Sequence, residues 1–467
     1  MTKKLPLAVP LFLLSTLAIP QAVQRSETSL PNQGSNLPDI AIFLTDQQRA
    51  DAMGIAGRPG LHTPAMDRLA QEGVRFTNAF CATPQCSPSR AALLSGRYPH
   101  RTGVMGNVEA RESAGQSAPL DPQISSLGKI FSQAGYQTAY FGKWHLGNGP
   151  RLHGFDIDGS GDGRAVAAGV INFLNKRSAA SGMRRPLLLF VSWLNPHEIY
   201  QIAGQVDTSG LRLAGLSLPQ SLSDDLSQKP VPQRLYLQED QGKPFRSYTA
   251  NDWLRYIAFY NSLVEKVDQE IGRVLQALRS QLPNVLVVFS SDHGDLGGAH
   301  GLPFKGPAMY EELVRVPLII SWPGKIRPAV KDELVSNIDV LPTLCELAGL
   351  RPPESIDGVS LQPLLTGGRD TFKPHEMIVS EYYGKQNWRV PIRMLRTNHW
   401  KYVRTLHYGE ELYDLQHDPH ELHNLATMGQ QQETRKRLSE RVERWMKQTQ
   451  DPFLGLTVTD RAGRVVK

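Results

Sequence analysis

Cysteine is rare in this sequence: a chain of 467 residues contains three, Cys81, Cys86 and Cys345. Because an odd number of thiols cannot all pair within one chain, at least one of them is free, joins another molecule or is modified. If Cys86 is the modified one, Cys81 and Cys345 remain, and they either pair or stay separate. Two separate buried thiols are the simpler expectation, since unpaired cysteine is among the residue types most often buried.

Long hydrophobic runs are absent after the amino terminus. A helix that crosses a bilayer needs roughly 18 uninterrupted apolar residues, and no later segment approaches that length. Zinc-finger spacings and basic stretches interleaved with aromatic residues are absent as well. The formal net charge of +6 suits an anionic substrate, but the charges form no long basic run. We therefore expect a soluble mature protein with no membrane contact and no nucleic-acid partner.

The amino terminus has the pattern of a secretory signal. Met1-Thr2-Lys3-Lys4 is charged, and the stretch from Leu5 to Ile19 is nearly all apolar. A charged start before a short apolar core is typical of a signal peptide, and we expect cleavage near Ala22. The sequence thus predicts a signal peptide over 1–24, a linker over 25–38 and export to the periplasm or the cell exterior.

The part after the linker has the composition of a globular protein, in a chain with 40% hydrophobic and 21% charged residues. Short apolar runs alternate with helical patterns, which indicates strands that are buried on both faces of a sheet. The predicted strands cover 39–44, 74–76, 137–141, 186–192, 284–290 and 316–321, and the predicted helices cover 63–71, 125–134 and 253–282. This alternation predicts an α/β fold with a large, mostly parallel sheet sandwiched by helices.

From Pro374 onward the pattern changes to short alternating strands. These are predicted over 377–382, 392–395 and 400–404, and a final helix is predicted near 434–449. A chain of this length is too long for one ordinary core, so a smaller companion domain is expected. We place the large domain at 39–370 and a smaller C-terminal α+β domain at 371–467.

Polar residues follow four of the predicted strands directly. In chain order they are Asp46, Lys143, His145, His197, Asp292 and His293. The loops at the carboxyl ends of parallel strands carry the chemistry of such sheets, so these residues are expected to share one site. Lys143 and His145 should point the same way if the extended backbone continues between them.

Two of these strand ends offer the donor atoms of a metal site. Asp46 and Gln47 at one end, with Asp292 and His293 at another, supply two carboxylates, an amide oxygen and an imidazole. Hard divalent cations such as Ca²⁺, Mg²⁺ and Mn²⁺ select oxygen-rich sets, and the imidazole shifts the balance toward Mn²⁺. The alternative is that each residue is a cap or turn residue, as Asp often is.

The most specific stretch of the chain runs from Cys86 to Arg97 and reads CSPSRAALLSGR. Its Cys, Pro, Ser, Arg, Ser/Thr, Gly and Lys/Arg at those offsets arise by chance in about one in a million chains of this length. The run resembles the signature of the type I sulfatases of the alkaline phosphatase superfamily. The resemblance extends from Asp39 to Leu425 and includes FGKWHLG around Lys143, NPH at His197 and the segment that begins at Lys305.

This resemblance implies a nucleophile that is made after synthesis. A formylglycine-generating enzyme would convert Cys86 into formylglycine, whose hydrated aldehyde attacks the ester. The implied metal ligands are Asp46, Gln47, residue 86, Asp292 and His293, and the implied ion is Ca²⁺, with Mn²⁺ or Mg²⁺ as alternatives. The implied catalytic residues are Cys86, Arg90, Lys143, His145, His197 and Lys305.

The implied reaction assigns a task to each of these groups. Lys143 and Lys305, with the metal, neutralise the sulfate oxygens, and Asp292 accepts the proton of the nucleophile. His197 or Lys305 protonates the leaving oxygen, and His145 deprotonates the second hydroxyl so that sulfate departs.

Three basic residues outside that sequence of steps also have predicted roles. Arg90, on the first turn of the helix after Cys86, would hold the hydrated aldehyde and the metal ligands. Arg97 belongs to the run that the modifying enzyme reads, so it serves maturation or packing rather than turnover. His300 is expected to be structural rather than catalytic.

Three functions compete on this sequence. The first is a sulfatase that acts on a sulfated small molecule or glycan. The second is a phosphonate or phosphate ester hydrolase with the same site, because Gln47 stands where many sulfatases have a second aspartate, as in the arm that includes phosphonate monoester hydrolases and choline sulfatases. The third is a non-catalytic glycan-binding protein on an inactive scaffold, which would have lost some of the motif residues, and none is lost.

Overall fold

An eight-stranded sheet forms the centre of the computed structural model, which describes residues 1–2, 37–108, 117–181, 184–204, 206–368, 375–385 and 387–466. In sheet order the strands are β5 (Ile157–Gly161), β4 (Gln137–Lys143), β6 (Leu187–Pro196), β1 (Ile40–Asp46), β7 (Leu286–Ser291), β8 (Leu318–Ser321), β2 (Val74–Phe76) and β9 (Ala329–Lys331). The first five run parallel to one another, and β8 is antiparallel to both of its neighbours. The prediction of a large, mostly parallel sheet is confirmed.

The central strands are apolar on both faces because helices cover both sides of the sheet. All seven residues of β1 and all six of β7 are buried. Successive side chains of a strand point to opposite faces, so Ala41 and Phe43 enter one core while Ile40 and Ile42 enter the other.

The helices that surround the sheet differ greatly in length. They are α1 (Pro64–Gln71), α2 (Cys86–Ser95), α3 (Pro99–Thr102), α4 (Leu127–Gln133), α5 (Val166–Ala179), α6 (Val231–Glu239), α7 (Ala250–Gln281), α8 (Glu311–Val314), α9 (Val340–Leu347) and α10 (Gln362–Thr366). Helices α1, α5 and α7 contribute to the core on one face, and α2, α4 and α9 to the core on the other. Among the described residues, no helix is both long enough and apolar enough to cross a membrane.

The C-terminal part is a four-stranded antiparallel sheet with one long helix. Its strands are β11 (Ile378–Lys385), β12 (Trp388–Arg396), β13 (Trp400–Thr405) and β14 (Gly409–Asp414), and the helix is α11 (Gln432–Thr449). Two short strands, β3 (Ala79–Phe80) and β10 (Val335–Ser336), pair in parallel and form a separate two-stranded sheet. The smaller α+β part is therefore confirmed.

The predicted limits of the segments lie largely outside the described residues. The signal peptide over 1–24, most of the linker over 25–38 and the boundary at 370/371 all fall there. Two apolar clusters join the C-terminal sheet to the rest: Phe80 and Leu313 pack in one cluster with Ile392, and Ala92 packs in the other with Leu395.

Five strands were absent from the sequence prediction: β3, β9 and β10, which are two or three residues long, and the longer strands β5 and β14. β5 is glycine-rich and pairs only with β4 at the sheet edge, so it carries little apolar signal. β14 is the edge strand of the small sheet, where half of its residues face outward. The two remaining cysteines match the simpler expectation, because Cys81 and Cys345 are free, buried and in different core clusters.

Candidate active site

The carboxyl ends of four neighbouring parallel strands meet at one edge of the sheet. β1 ends at Asp46 and β4 ends at Lys143, while His197 follows β6 directly and Asp292 follows β7. Because β4, β6, β1 and β7 are adjacent and parallel, the sheet itself brings these residues together. The structure thus places the polar residues of the four strand ends at a common edge.

Cys86 is the first residue of α2 and is completely buried. Its Sγ lies 2.8 Å from Nζ of Lys305, 3.3 Å from Nε2 of His293 and 3.7 Å from Oδ1 of Asp46. Burial opposes ionisation of the thiol, but the charges of Lys143, Lys305 and His293 hold the pKa of Cys86 well below its usual range. Position 86 is therefore a place where the protein stabilises negative charge.

Arg90, one turn further along α2, holds both carboxylates. Its Nη2 donates to Oδ2 of Asp46 at 2.9 Å and its Nε donates to Oδ2 of Asp292 at 2.9 Å. Its Nη1 donates to the Lys143 carbonyl at 2.9 Å and to Oγ of Ser192 at 2.7 Å. With 2% of its surface exposed, the guanidinium is a buried cation that orients the two strand ends and neutralises part of their charge.

The imidazole of His293 has a defined orientation. Its Nδ1 lies 2.9 Å from the Gly294 carbonyl, which can only accept a hydrogen bond, so Nδ1 carries a proton. The other nitrogen, Nε2, therefore faces Cys86 and lies 3.8 Å from Oδ1 of Asp46. A carbonyl that fixes one ring nitrogen while the other points into a cluster is the usual arrangement of a metal-binding histidine.

Gln47 is held by three hydrogen bonds in a left-handed backbone conformation, with φ of 71°. Its N–H donates to Oδ1 of Asp292 at 3.1 Å, its carbonyl accepts from the Tyr260 hydroxyl at 2.8 Å, and its Nε2 donates to Oδ2 of Asp295 at 2.7 Å. Its Oε1 is buried, and no hydrogen-bond partner for it exists among the described residues. A strained backbone and an unpartnered buried oxygen are both features of a functional site rather than of a turn.

These donors fit a divalent cation. One ligand atom each from Asp46, Cys86, Asp292 and His293 lies within 4.8 Å of the other three, and all four residues are buried. The free amide oxygen of Gln47 adds a further oxygen donor beside them. Two carboxylates, an amide oxygen and an imidazole form a set that is chiefly oxygen, as a hard cation requires.

Lys143 and His145 both lie at the site, but not through a continuous strand. Nζ of Lys143 lies 2.5 Å from Oδ2 of Asp46. His145 has φ of 60°, so the extended backbone that we expected between the two residues does not continue. The His145 carbonyl accepts from Oγ of Ser87 at 2.6 Å, while its Nδ1 is buried and unpartnered within the described part of the chain.

His197 and Lys305 complete the cluster from two loops. Burial lowers the pKa of His197, and the charges of Lys143 and Lys305 act in the same direction. Burial opposes the charge on Lys305, but the negative charges of Cys86, Asp46 and Asp292 raise the pKa of this lysine. Its Nζ also donates to Nε2 of His293 at 2.9 Å. Lys305 is thus a fixed cation beside position 86.

The two carboxylates of the site, Asp46 and Asp292, differ in how readily they ionise. Burial opposes ionisation of both acids, but Lys143, His197 and Arg90 hold the pKa of Asp46 well below its usual range. Burial and the nearby charge of Asp46 raise the pKa of Asp292. Asp46 is therefore the permanent anion of the pair, and Asp292 is the more basic oxygen donor.

Several residues of the site were missed from the sequence. Asp295 is buried, accepts from Gln47 and from the Tyr256 hydroxyl at 2.9 Å, and has a pKa that burial raises. Ser192, within β6, accepts from Arg90. Asp295 lies three residues after Asp292, a weak signal that could have found it, whereas Tyr256 on α7 carries no local pattern that reveals its partner.

Two basic residues for which the sequence predicted no part in turnover, His300 and Arg97, have their contacts outside the cluster. His300 stacks on Tyr310 with ring centroids 3.6 Å apart, and its Nδ1 lies 2.7 Å from Oδ2 of Asp224. These contacts are those of a packed structural histidine. The Arg97 side chain donates to Ser355, which is away from position 86.

The comparisons with known proteins agree with this geometry. The Sulfatase family model matches residues 38–178 and 165–350, and the model of the C-terminal region of N-sulphoglucosamine sulphohydrolase matches residues 298–448. An uncharacterised sulfatase of Escherichia coli, YidJ, is 30% identical over 462 residues, which cover 89% of this chain and 88% of that protein. A Δ4,5-hexuronate-2-O-sulfatase of Bacteroides thetaiotaomicron is 31% identical and covers 84% of this chain and 85% of its own length.

A solved structure of a 2-O GAG sulfatase has the same fold. It superimposes with a TM-score of 0.81 at 28% identity and covers 91% of this chain and 95% of that one.

Proposed function

Because this chain belongs to the sulfatase family and is therefore a sulfuric ester hydrolase, we propose that its nucleophile is a formylglycine made from Cys86. The reaction would convert an organic sulfate monoester into an alcohol and inorganic sulfate. The observation that carries the proposal is the buried convergence on position 86 of two carboxylates, His293 and the ammonium groups of Lys143 and Lys305.

The charges around position 86 address the main obstacle of the reaction. A sulfate monoester is an anion that repels an anionic nucleophile, so its equatorial oxygens must be neutralised before attack. Lys143 and Lys305 are preorganised for this, and each such contact is worth on the order of 3 kcal/mol of barrier. The Sγ of Cys86 stands where an oxygen of the hydrated aldehyde would lie, 2.8 Å from the Lys305 ammonium.

The first step would join the aldehyde hydrate to sulfur. One hydroxyl of residue 86 attacks in line, its proton passes to Asp292, and the bond from sulfur to the ester oxygen breaks. Asp292 suits this task because burial and Asp46 raise its pKa, which makes it the better proton acceptor of the pair. Arg90 keeps this carboxylate in place through its Oδ2.

The departing alkoxide needs a proton as it leaves. His197 and Lys305 are the two candidates, since both lie at the cluster and neither is itself one of the proposed metal ligands. The two can be separated by varying the leaving group. Removing the true general acid should slow alkyl sulfates far more than 4-nitrophenyl sulfate, because 4-nitrophenolate departs without protonation.

The second step would release sulfate and restore the aldehyde. His145 removes the proton of the remaining hydroxyl, a C=O bond forms at residue 86, and the bond from that carbon to the sulfate oxygen breaks. Serine or cysteine at this position has no second hydroxyl, which is why the modification would be needed. Water then hydrates the aldehyde for the next turnover.

A divalent cation held by Asp46, Gln47, residue 86, Asp292 and His293 would lower the pKa of the nucleophilic hydroxyl and add positive charge for the sulfate. The largely oxygen donor set supports Ca²⁺, with Mn²⁺ and Mg²⁺ as alternatives. Protein stripped with a chelator and titrated with each ion should show which one raises its melting temperature at the lowest concentration.

The substrate class follows from the similar proteins rather than from the reacting groups. Two of them are named for sulfated sugars, a hexuronate and a glycosaminoglycan. A sulfated sugar is therefore the substrate class that we propose, and turnover of sulfated sugars against aryl sulfates tests it.

Gln47 supports a second candidate, a phosphonate or phosphate monoester hydrolase with the same nucleophile. With an amide in place of a carboxylate, the metal ligands carry one negative charge fewer. This favours a substrate with more negative charge, such as a phosphate monoester. Matched 4-nitrophenyl esters of sulfate, phenylphosphonate and phosphate separate the two, and the phosphate, which carries two negative charges near neutral pH, tests the charge argument. A large preference for the phosphonate or the phosphate would replace the sulfatase proposal.

Maturation and export are also proposed from the sequence. The run from Cys86 to Arg97 would be read by a formylglycine-generating enzyme, and residues 1–24 would be removed as a signal peptide during export to the periplasm or the cell exterior. Amino-terminal sequencing of the secreted protein tests the export proposal. A start at Met1 would contradict it.

A further inference from the structure

A cavity of about 290 Å³ lies where the loop over 103–107 faces the β11–β12 hairpin. Its walls include Gln85, Asn107, Tyr383, Lys385 and Arg389. The steps proposed above use none of these residues. The volume is at the lower limit of ordinary ligand pockets and suits one ring-sized group.

The cavity shares a wall with the reacting site. Gln85 directly precedes Cys86, and Oδ1 of Asn107 accepts from the N–H of Ser87 at 3.1 Å. Oγ of the same serine donates to the His145 carbonyl at 2.6 Å. The lining of the cavity therefore includes residues that lie beside position 86 and fix the start of α2.

The charge on the cavity wall has one sign. Lys385 and Arg389 are its ionisable cations, and the described lining residues include no carboxylate. Arg389 is exposed, and its guanidinium makes no ion pair within the described parts of the chain. A wall whose ionisable side chains are cations favours an anionic ligand.

A buried acceptor also faces this space. Gln85 is 5% exposed, and its Nε2 donates to the Gly384 carbonyl at 3.2 Å, which fixes the amide. Its Oε1 is buried with no hydrogen-bond partner among the described residues. A buried acceptor is costly unless a ligand or water satisfies it, and a sugar hydroxyl is a suitable donor.

The aromatic wall is rigid. The Tyr383 hydroxyl donates to Oε2 of Glu381 at 2.8 Å and accepts from Nη2 of Arg393 at 2.8 Å, and Arg393 is paired with Asp451. The strand pairing shifts between Tyr382 and Gly384, so the hairpin bulges beside the cavity. Such bulges re-aim side chains next to functional sites.

We propose that this cavity is the subsite for the alcohol half of the substrate and that it takes a sugar ring with a second anionic group, either a carboxylate or a sulfate. Arg389 would pair with that group, Gln85 would accept from a ring hydroxyl, and Tyr383 would pack against the ring. This inference rests on the proposed function, because it assigns the cavity to the same reaction.

Direct binding tests the inference without turnover. Calorimetry on the unmodified Cys86 protein compares three ligands with the same ring: glucose, glucuronate and glucose 6-sulfate. We expect at least one charged sugar to bind about 10-fold more tightly than glucose. Arg389→Gln should abolish the preference, while Arg351→Gln, at an exposed arginine that pairs with Glu354, should keep it.

Equal binding of glucose and both charged sugars, no binding of any of them, or a preference that survives Arg389→Gln would overturn the inference. A second readout links the cavity to the reaction, since the tighter sugar should inhibit 4-nitrophenyl sulfate hydrolysis competitively in wild-type enzyme and weakly in Arg389→Gln. Binding without competition would also overturn it. Failure of the modified protein to hydrolyse any sulfate ester would instead refute the proposed function and leave the binding result standing.

Discussion

One guanidinium organises the charged groups of the site. Arg90 joins Asp46 at the end of β1 to Asp292, which follows β7, and also contacts Lys143 and Ser192. A buried charge is costly without partners, and here each partner lies on or directly after a different strand. Whether a charged side chain is tolerated at this site therefore depends on the partners that other strands supply as much as on its own backbone.

Lys305→Ala should remove a cation that touches position 86 without disturbing the fold. Because one preorganised contact to the developing charge is lost, we expect kcat/KM to fall by about 10²- to 10³-fold. Lys447→Ala, at an exposed lysine on α11, is the matched control and should retain full activity. Steady-state kinetics with 4-nitrophenyl sulfate measure both, and a Lys305→Ala enzyme as active as the control would refute the role.

Asp295→Ala should weaken metal binding indirectly, through the loss of its hydrogen bond to Gln47. Asp295 accepts from Nε2 of Gln47 and so fixes the amide whose Oε1 has no partner among the described residues, and its loss frees this amide to rotate. Losing such an orienting partner costs about 10- to 100-fold in metal affinity. Thermal-shift titration with Ca²⁺ and Mn²⁺ measures this, and Asp295→Asn, which retains an acceptor, should lose less. Unchanged affinity in the alanine variant would contradict the positioning role.

His153 makes the fold sensitive to acid. Burial lowers the pKa of His153 to about 4, and the imidazole has no hydrogen-bond partner among the described residues. The unfolded chain has the higher pKa, near 6.5 for a free histidine, so protonation favours unfolding and stability is lost as pH falls through that window. At pH 5 we expect this loss to be about 1 to 2 kcal/mol.

His153→Phe should remove that part of the acid sensitivity. Urea unfolding at pH 7.5 and pH 5 measures it, and His62→Phe, at an exposed histidine, should respond to acid as the wild type does. If His153→Phe loses as much stability as the wild type between these two pH values, the buried imidazole is not responsible.

At the scale of the elements, parallel strand order creates the site. A polar residue ends or directly follows each of β4, β6, β1 and β7, and the adjacency of these strands places the four ends side by side. The apolar runs in the sequence were sufficient to predict these strands, since strands buried on both faces read as continuous hydrophobic segments. The common location of the polar ends followed from that prediction.

Contacts between distant segments could not be predicted in the same way. Asp268 on α7 accepts from the N–H groups of Ala65 and Met66 and so caps α1. The hydroxyl of Thr63, the residue before α1, makes no capping hydrogen bond and contacts Gly54 and Asp67. Local patterns identify where a helix begins, but not which distant side chain satisfies its free N–H groups.

Gly142 permits the close approach of β4 and β6 immediately before Lys143. Its φ is 89°, and a Cβ there would lie 1.9 Å from the Ser192 carbonyl oxygen. We expect Gly142→Ala to cost about 3 kcal/mol or more, because it combines a strained φ with a backbone clash. Gly57→Ala is the control for φ alone: its φ is 84° with open space around it, so about 1 kcal/mol is expected.

Urea unfolding separates the two glycine variants. Equal losses of stability would show that the close approach to Ser192 has no energetic weight and that the backbone conformation alone accounts for the effect.

At the scale of the whole molecule, the site and its neighbouring cavity lie between the large sheet and the small one. The large sheet and α2 supply most of the groups that act on the ester, while β11 and β12 supply Tyr383, Lys385 and Arg389. The net charge of +6 explains little of the proposed substrate binding, because that binding depends on a few cationic side chains at defined positions. Bond breaking and substrate choice would thus be handled by different parts of the chain.

The central claim is that Cys86 is the precursor of the nucleophile. Mass spectrometry of the peptide that contains residue 86, after coexpression with a formylglycine-generating enzyme, tests it most directly. We predict a mass about 18 Da below that of the cysteine form, with 4-nitrophenyl sulfate turnover proportional to the converted fraction. Hydrolysis that survives Cys86→Ala, or that does not depend on conversion, would contradict the account.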